Sequence, residues 1–208
     1  MRARTDAAKD ERRRLLQEAA LDAFFDNGFR ATRMDDIANR AGLSKGAIYL
    51  YFSSKEALFT SLVETYALPN VEALLAVAAN ASSLRAGVRG AFGVAPILVR
   101  ESRVPKIIKI LIGEAGQFPE LATMYRRQVV DRGLAALTDL VVRSRDAGEI
   151  ADCEPGMVAR LVIAPVILSV VWRLAFDQDG DAPLDIEGLL SQHEQILFNG
   201  LGVKEAAA

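Results

Sequence analysis

The stretch "GLSKGAIYLYF", Gly42 to Phe52, decides the fold. Gly42 ends one helical pattern and Ser44 can start another, giving a short helix from Lys45 to Tyr51. Ile48 and Phe52 are four residues apart and face a core, so Lys45, Ala47 and Tyr49 turn outward. Gly46 leaves room for a phosphate or a neighbouring helix to come close.

Upstream, Leu16, Ala19, Ala20, Ala23 and Phe24 recur at helical spacing, and Gly28 stops the pattern, which predicts an amphipathic first helix over about 8–27. Thr32 reads as the N-cap of a second helix with Met34, Ile37, Ala38 and Ala41 as its buried stripe and Asp35 in its first turn. Asp35 and Asp36 are adjacent, so they point about 100° apart and cannot work as a paired acid and base. Downstream, Ser53 and Glu56 form an S-x-x-E capping box for a fourth helix carrying Leu58, Phe59, Leu62, Val63 and Tyr66. Pro69 is expected to kink or end it.

Beyond Pro69 no alternating strand pattern occurs. Turn signals at "NASS" (80–83), "VP" (104–105), "GQFPE" (116–120), "DAGEIADCEPG" (146–156) and "DQDGDAP" (177–183) delimit about five more helices. The reading is an all-α protein. Its 208 residues are 51% apolar, ample for a packed core. The charged start "MRARTDAAKDERRRLL" lacks the apolar stretch of a secretory signal, so the expected location is the cytoplasm. "LVIAPVILSVVW", Leu161 to Trp172, is twelve residues between two arginines, short of the roughly 20 that a membrane span needs, and reads as a buried helix.

One cysteine, Cys153, excludes an internal disulfide, and with one histidine, His193, it cannot build a four-ligand zinc site without heavy use of carboxylates. No metal or cofactor is expected. With no convergent nucleophile and base visible, an enzyme is the poorer reading. The formal charge is −2, yet residues 1–56 hold eleven basic against nine acidic side chains, leaving fourteen against eighteen for the rest. An anionic partner should therefore meet the N-terminal quarter.

Two short helices joined across "RAGLS" form a helix-turn-helix, whose second helix can lie in the major groove of double-stranded DNA. Ser44, Lys45 and Tyr49 supply hydroxyl and ammonium donors on its exposed face, with Ala47 between them. Lys55, and Thr32 with Arg33, sit where they can reach the flanking phosphates. Arg2, Arg4, Lys9, Arg12, Arg13 and Arg14 make either a solvated helix start or a mobile basic arm.

The run "TRMDDIANRAGLSKGAIYLYFSSKEALF", Thr32 to Phe59, with "NGF" at 27–29 and the helix before it, closely resembles the DNA-binding domain of the tetracycline-repressor (TetR) family of bacterial transcriptional regulators. The resemblance implies an N-terminal three-helix helix-turn-helix domain, assigned here to residues 1–56, and a C-terminal helical ligand-binding and dimerisation domain, residues 57–208. It implies that Thr32 and Arg33 flank the DNA backbone, that Ser44, Lys45, Ala47 and Tyr49 present the reading surface, and that Tyr51 and Lys55 fix register on phosphates. Ala47 stands where the family frequently has a hydroxyl, which favours a thymine-methyl contact over a hydrogen bond.

The resemblance further implies a homodimeric regulator, expected to be a repressor on a palindromic operator and to be released by a small, largely apolar effector. Phe92, Ile107, Leu111, Met124, Val171, Trp172 and Phe176 either line the effector pocket or fill a bundle core, with Glu114, Gln117 and Gln128 as polar anchors. Leu189, Leu190, His193, Ile196 and Leu197 form a stripe suited to a packed or subunit interface, and the helices after Glu154 and after Pro183 are expected to form the dimer surface, two from each subunit making a four-helix bundle. Activation rather than repression, or a binding module that has lost DNA recognition, are the alternatives.

Overall fold

The stripe read from the first helix is buried as its spacing requires: Leu16, Ala20 and Phe24 are enclosed, and with Leu21 they make one side of the N-terminal core. A computed structural model describes residues 2–177 and 183–203, with side chains from Ala7 onward. The described residues carry helices and no strand: α1 (Arg2–Asn27), α2 (Met34–Arg40), α3 (Lys45–Tyr49), α4 (Lys55–Leu62), α5 (Leu68–Asn80), α6 (Leu84–Glu101), α7 (Val104–Glu114), α8 (Pro119–Tyr125), α9 (Asp131–Asp146), α10 (Pro155–Ala175) and α11 (Ile186–Gly200). π turns at Val63–Ala67 and Arg126–Val130 join α4 to α5 and α8 to α9.

Several helix ends differ from the sequence reading. The N-cap of α2 is Arg33, whose backbone N–H donates to Asp36 Oδ2 at 3.1 Å, rather than Thr32. The cap of α4 is Ser54, accepting from the Ala57 N–H at 3.2 Å, rather than Ser53. At α4 the hydroxyl one residue along reaches a free N–H, whereas at α2 the Arg33 side chain caps nothing and the Asp36 carboxylate takes the N-cap N–H, shifts that sequence spacing does not resolve. α3 closes at Tyr49, leaving Tyr51 in the following turn. Pro69 does not end its helix. The Leu68 N–H reaches back to Val63 O, and this wider π turn relieves the crowding that a proline ring imposes on the carbonyl four residues before it.

The chain forms two compact units. The first comprises Met1–Leu68 and Lys106–Arg126, the second Pro69–Pro105 and Arg127–Ala208. This division does not follow a boundary at residue 56, because α4 packs on α1 and because α7 and α8 belong with the N-terminal helices. In the first unit, Phe24, Phe29 and Phe59 cluster with centroids 4.9 to 6.4 Å apart, and Phe118 meets Phe29 edge-on at 4.9 Å. Gln17, buried on α1, donates to Ser61 Oγ at 3.2 Å and Thr65 Oγ1 at 2.8 Å, so α1 is tied by polar as well as apolar contact to α4 and the π turn.

The second unit is a bundle of α6, α9, α10 and α11 around Val88, Val99, Leu137, Leu140, Val162, Val170 and Phe198, with Leu74 of α5 against α9 at Gly133. α10 is longer than the twelve-residue apolar run suggested: it starts at Pro155, and by length and composition alone both it and the helical stretch Lys55–Asn80 are sufficient to cross a membrane. α10 is not simply a buried helix. Met157, Leu161, Ala164, Leu168 and Val171 leave an apolar stripe exposed along it, Leu161 at 51%.

Candidate nucleic-acid interface

Gly28 ends α1 with φ +81°, a conformation that suits glycine, and the chain turns through Phe29 and Arg30 toward α2. Three elements hold that turn. The Lys55 ammonium, in the first turn of α4, donates to Phe29 O at 2.8 Å and Arg30 O at 3.2 Å and lies 4.8 Å from the Phe29 ring centroid. Glu114, ending α7, accepts from the Phe29 N–H at 3.0 Å. Gln117 Oε1, in the turn after α7, accepts from Arg30 Nη1 at 2.8 Å.

Beside this turn opens a cleft of about 780 Å³ lined by Arg30, Thr32, Arg33, Asp35, Lys45, Tyr49, Lys55, Glu114 and Gln117, among others. Four cations face it. Of the two carboxylates, Asp35 is paired with Lys45 at 2.6 Å and Glu114 is occupied by the Phe29 N–H. The lysine's partner holds its ammonium protonated beyond the ordinary lysine range, so Lys45 is a cation throughout physiological pH.

The structure thus brings Thr32, Arg33, Lys45, Tyr49 and Lys55 to one cleft, with Ser44 and Ala47 on the same short helix and Tyr51 just after it. Ile48 and Phe52 are buried as expected, and Tyr49 and Gly46 are exposed, with open space where a Gly46 side chain would stand. Ser44 caps α3 by position, without a side-chain hydrogen bond. Leu50, 81% exposed at the end of α3, was not singled out by the sequence and extends the same surface with an apolar group.

Two assignments change. Thr32 is 2% exposed, and its hydroxyl donates inward to Gly28 O at 2.7 Å and Ala23 O at 3.1 Å, so it braces the turn instead of offering a donor to DNA. Lys55 commits two of its three donors to backbone carbonyls, which makes it a clamp on the turn with one donor left for a partner outside the chain. Arg30 was missed: its partner lies 87 positions along the chain, and no local pattern marks it.

The basic start is helical from Arg2, with the side chains of Arg2 and Arg4 outside the described residues. Arg13 stacks 4.7 Å from the Phe52 centroid, and Arg14 bonds Glu11 and Glu18, so these two belong to the helix surface and not to a mobile arm.

The residues proposed for an effector pocket divide between the units. Ile107, Leu111 and Met124 belong to the first, Ile107 fully buried. Glu114 and Gln117, taken as pocket anchors, serve the α1–α2 turn instead. Phe92, Gln128, Val171, Trp172 and Phe176 belong to the second, where Gln128 Oε1 is buried with no hydrogen-bond partner among the described residues. Phe92 also lines a groove of about 420 Å³ between α6 and α11, with Pro96, Ile97 and Leu190. Val171 and Phe176 are exposed. Of the stripe on α11, Leu190 and Leu197 are core, Leu189 and His193 are half-buried, and Ile196 is 62% exposed. Burial raises the Cys153 thiol, which argues against a redox role.

Residues 16–62 match the family model for bacterial regulatory proteins of the tetR family, and residues 81–182 match that for the tetracyclin repressor-like C-terminal domain. The HTH-type transcriptional activator FasR of Mycolicibacterium smegmatis is 28% identical over 197 residues, 93% of this chain and 84% of that protein. The HTH-type transcriptional regulator RutR of Escherichia coli is 42% identical over 56 residues, only 27% of this chain and 26% of RutR. SmeT, the repressor of the Stenotrophomonas maltophilia multidrug efflux pump SmeDEF, superposes with a TM-score of 0.72 at 19% identity, over 93% of this chain and 91% of that one.

Proposed function

Because this chain belongs to the TetR family of bacterial regulatory proteins and is a DNA-binding transcriptional regulator, we propose that it acts as a cytoplasmic homodimer on a palindromic operator and is released by a small, largely apolar effector. The observation that carries this is the exposed face of α3, with Ser44, Lys45, Ala47 and Tyr49 beside a cleft lined by cations. One five-residue helix reaches few base edges, so specific affinity asks for a second head on the same duplex.

The second copy has a surface waiting for it. The apolar stripe on α10, together with Ile196 on α11, favours a subunit interface formed by the last two helices. For the effector, Gln128 Oε1, buried with no hydrogen-bond partner among the described residues, offers an acceptor that an organic molecule with one hydroxyl or N–H would use. Repression by occlusion needs no surface beyond the two heads. Activation, the role of FasR, would need a further one for the transcription machinery.

Selection of duplexes from a randomised library tests the reading. Palindromic sequences should emerge, and a Lys45→Ala, Tyr49→Phe variant should bind them more weakly and with a shallower salt dependence. Equal binding of all sequences by both proteins would refute it.

A further inference from the structure

We infer that Gln117 is a positioning residue of the DNA interface, aiming the Arg30 guanidinium at a backbone phosphate beside the operator half-site, so that the turn after α7 is a working part of the reading head. This inference rests on the DNA-binding reading above. Its basis is the way the α1–α2 turn is over-determined. Glu114 fixes its backbone N–H, Lys55 fixes two of its carbonyls, Phe118 packs on the Phe29 ring, and Gln117 takes the side chain of Arg30, which lines the cleft.

The turn carrying Gln117 is itself held: its N–H and that of Phe118 both donate to Glu114 O, at 3.0 and 2.8 Å. A side chain added at Gly28 would meet Glu114 Oε1 at 2.8 Å, so the two turns are closely apposed. The chemistry of the acceptor matters as much as its place. A glutamine carbonyl orients a guanidinium while leaving its full positive charge, and one N–H of five is spent, so the rest of the fork can grip a phosphate. A glutamate there would cancel the charge that the phosphate requires.

Residue 117 also lies inside the segment matched by the C-terminal family model, yet it belongs to the first compact unit. A displacement of α7 would therefore change the aim of Arg30 directly, without any change in α3.

The test uses full-length protein and a duplex that the wild type selects from a random library, titrated at 50 and 200 mM salt. Arg30→Ala should remove one phosphate contact, so that its deficit against wild type is about 3.5-fold larger at the lower salt. Gln117→Ala should weaken binding in the same salt-dependent sense by a smaller factor, and should do nothing further in the Arg30→Ala background. Gln117→Met, which keeps the side-chain length without the acceptor, should behave as Gln117→Ala and guards against a folding defect. An equal loss in both backgrounds, a loss independent of salt, or no loss at all would overturn the role of Gln117 while leaving the regulator intact. Failure of the wild type to select any duplex would sink both readings together.

Discussion

Asp35 holds Lys45 at 2.6 Å across the turn between α2 and α3, so the lysine that opens α3 is already paired with a carboxylate. Both side chains are exposed, the lysine at 71%. Such a pair contributes little to stability. The carboxylate aims the ammonium and also repels an approaching phosphate.

Replacing Asp35 with asparagine should therefore strengthen binding to duplexes of any sequence, with the slope of log affinity against log salt steeper by up to about 0.9. Fluorescence anisotropy with selected and scrambled duplexes across a salt series would read this. Weaker binding, with the specific duplex hit hardest, would show that orientation by Asp35 outweighs its charge.

Phe29 is the ring shared by the α1 end, α4 and the turn after α7. Phe29→Ala should cost about 3–5 kcal/mol by urea unfolding, through the cavity it leaves among Phe24, Phe59 and Phe118. A loss under about 1 kcal/mol would mean that the cluster collapses to fill the space.

Gln17 is enclosed and its amide donates to Ser61 and Thr65. Gln17→Ala should destabilise the protein by about 1–3 kcal/mol, since it removes the buried amide's bonds to the Ser61 carbonyl and hydroxyl and leaves space on α1. Gln17→Leu should not recover the loss if the hydrogen bonds matter; full recovery in chemical denaturation would assign the role to packing.

The Arg100 fork holds the Glu187 carboxyl at about 2, below its ordinary 4.5. A depressed carboxyl stabilises the fold above its unfolded value, and that contribution fades as pH falls from about 4.5 to about 2. Side-chain carbonyl NMR should show Glu187 titrating near the lower value in the wild type and returning upward in Arg100→Met. The change in thermal midpoint should be small, because both groups are exposed.

If α10 meets its counterpart in a second copy, Leu161→Glu with Leu168→Glu should give a particle of single-chain mass in sedimentation equilibrium, and operator affinity should fall with it. A dimer that survives both charges would move the interface elsewhere. Partition of the wild type into lipid vesicles would instead assign the stripe to a membrane surface.

The head was legible because its signals are local. Gly28, Gly42 and the Ile48–Phe52 pair each act within one or two turns, and each appears where its spacing put it. Thr32 was misread for the same reason: a threonine at a helix start serves equally as a cap or as a donor to the turn behind it, and only the position of Gly28 O decides. Glu114, Gln117 and Arg30 were illegible as a group because their contacts span 85 and 87 positions. The face of α10 was half legible. The helix after Glu154 was expected at the dimer surface, but without an alternation of polar residues the sequence did not say which of its apolar side chains stay open.

The membership of Lys106–Arg126 in the first unit bears on the order of events during synthesis. A nascent chain that has left the ribosome as far as Leu68 has all three helices of the head but lacks Glu114, Gln117 and Phe118. Its Phe29 ring stays open on one side until translation passes residue 118. At about 5–20 residues per second that interval lasts on the order of several seconds, far longer than helix formation. The head is thus a discontinuous folding unit with a long-range closing step, and a fragment cut at residue 68 should fold loosely compared with the same residues in the whole chain.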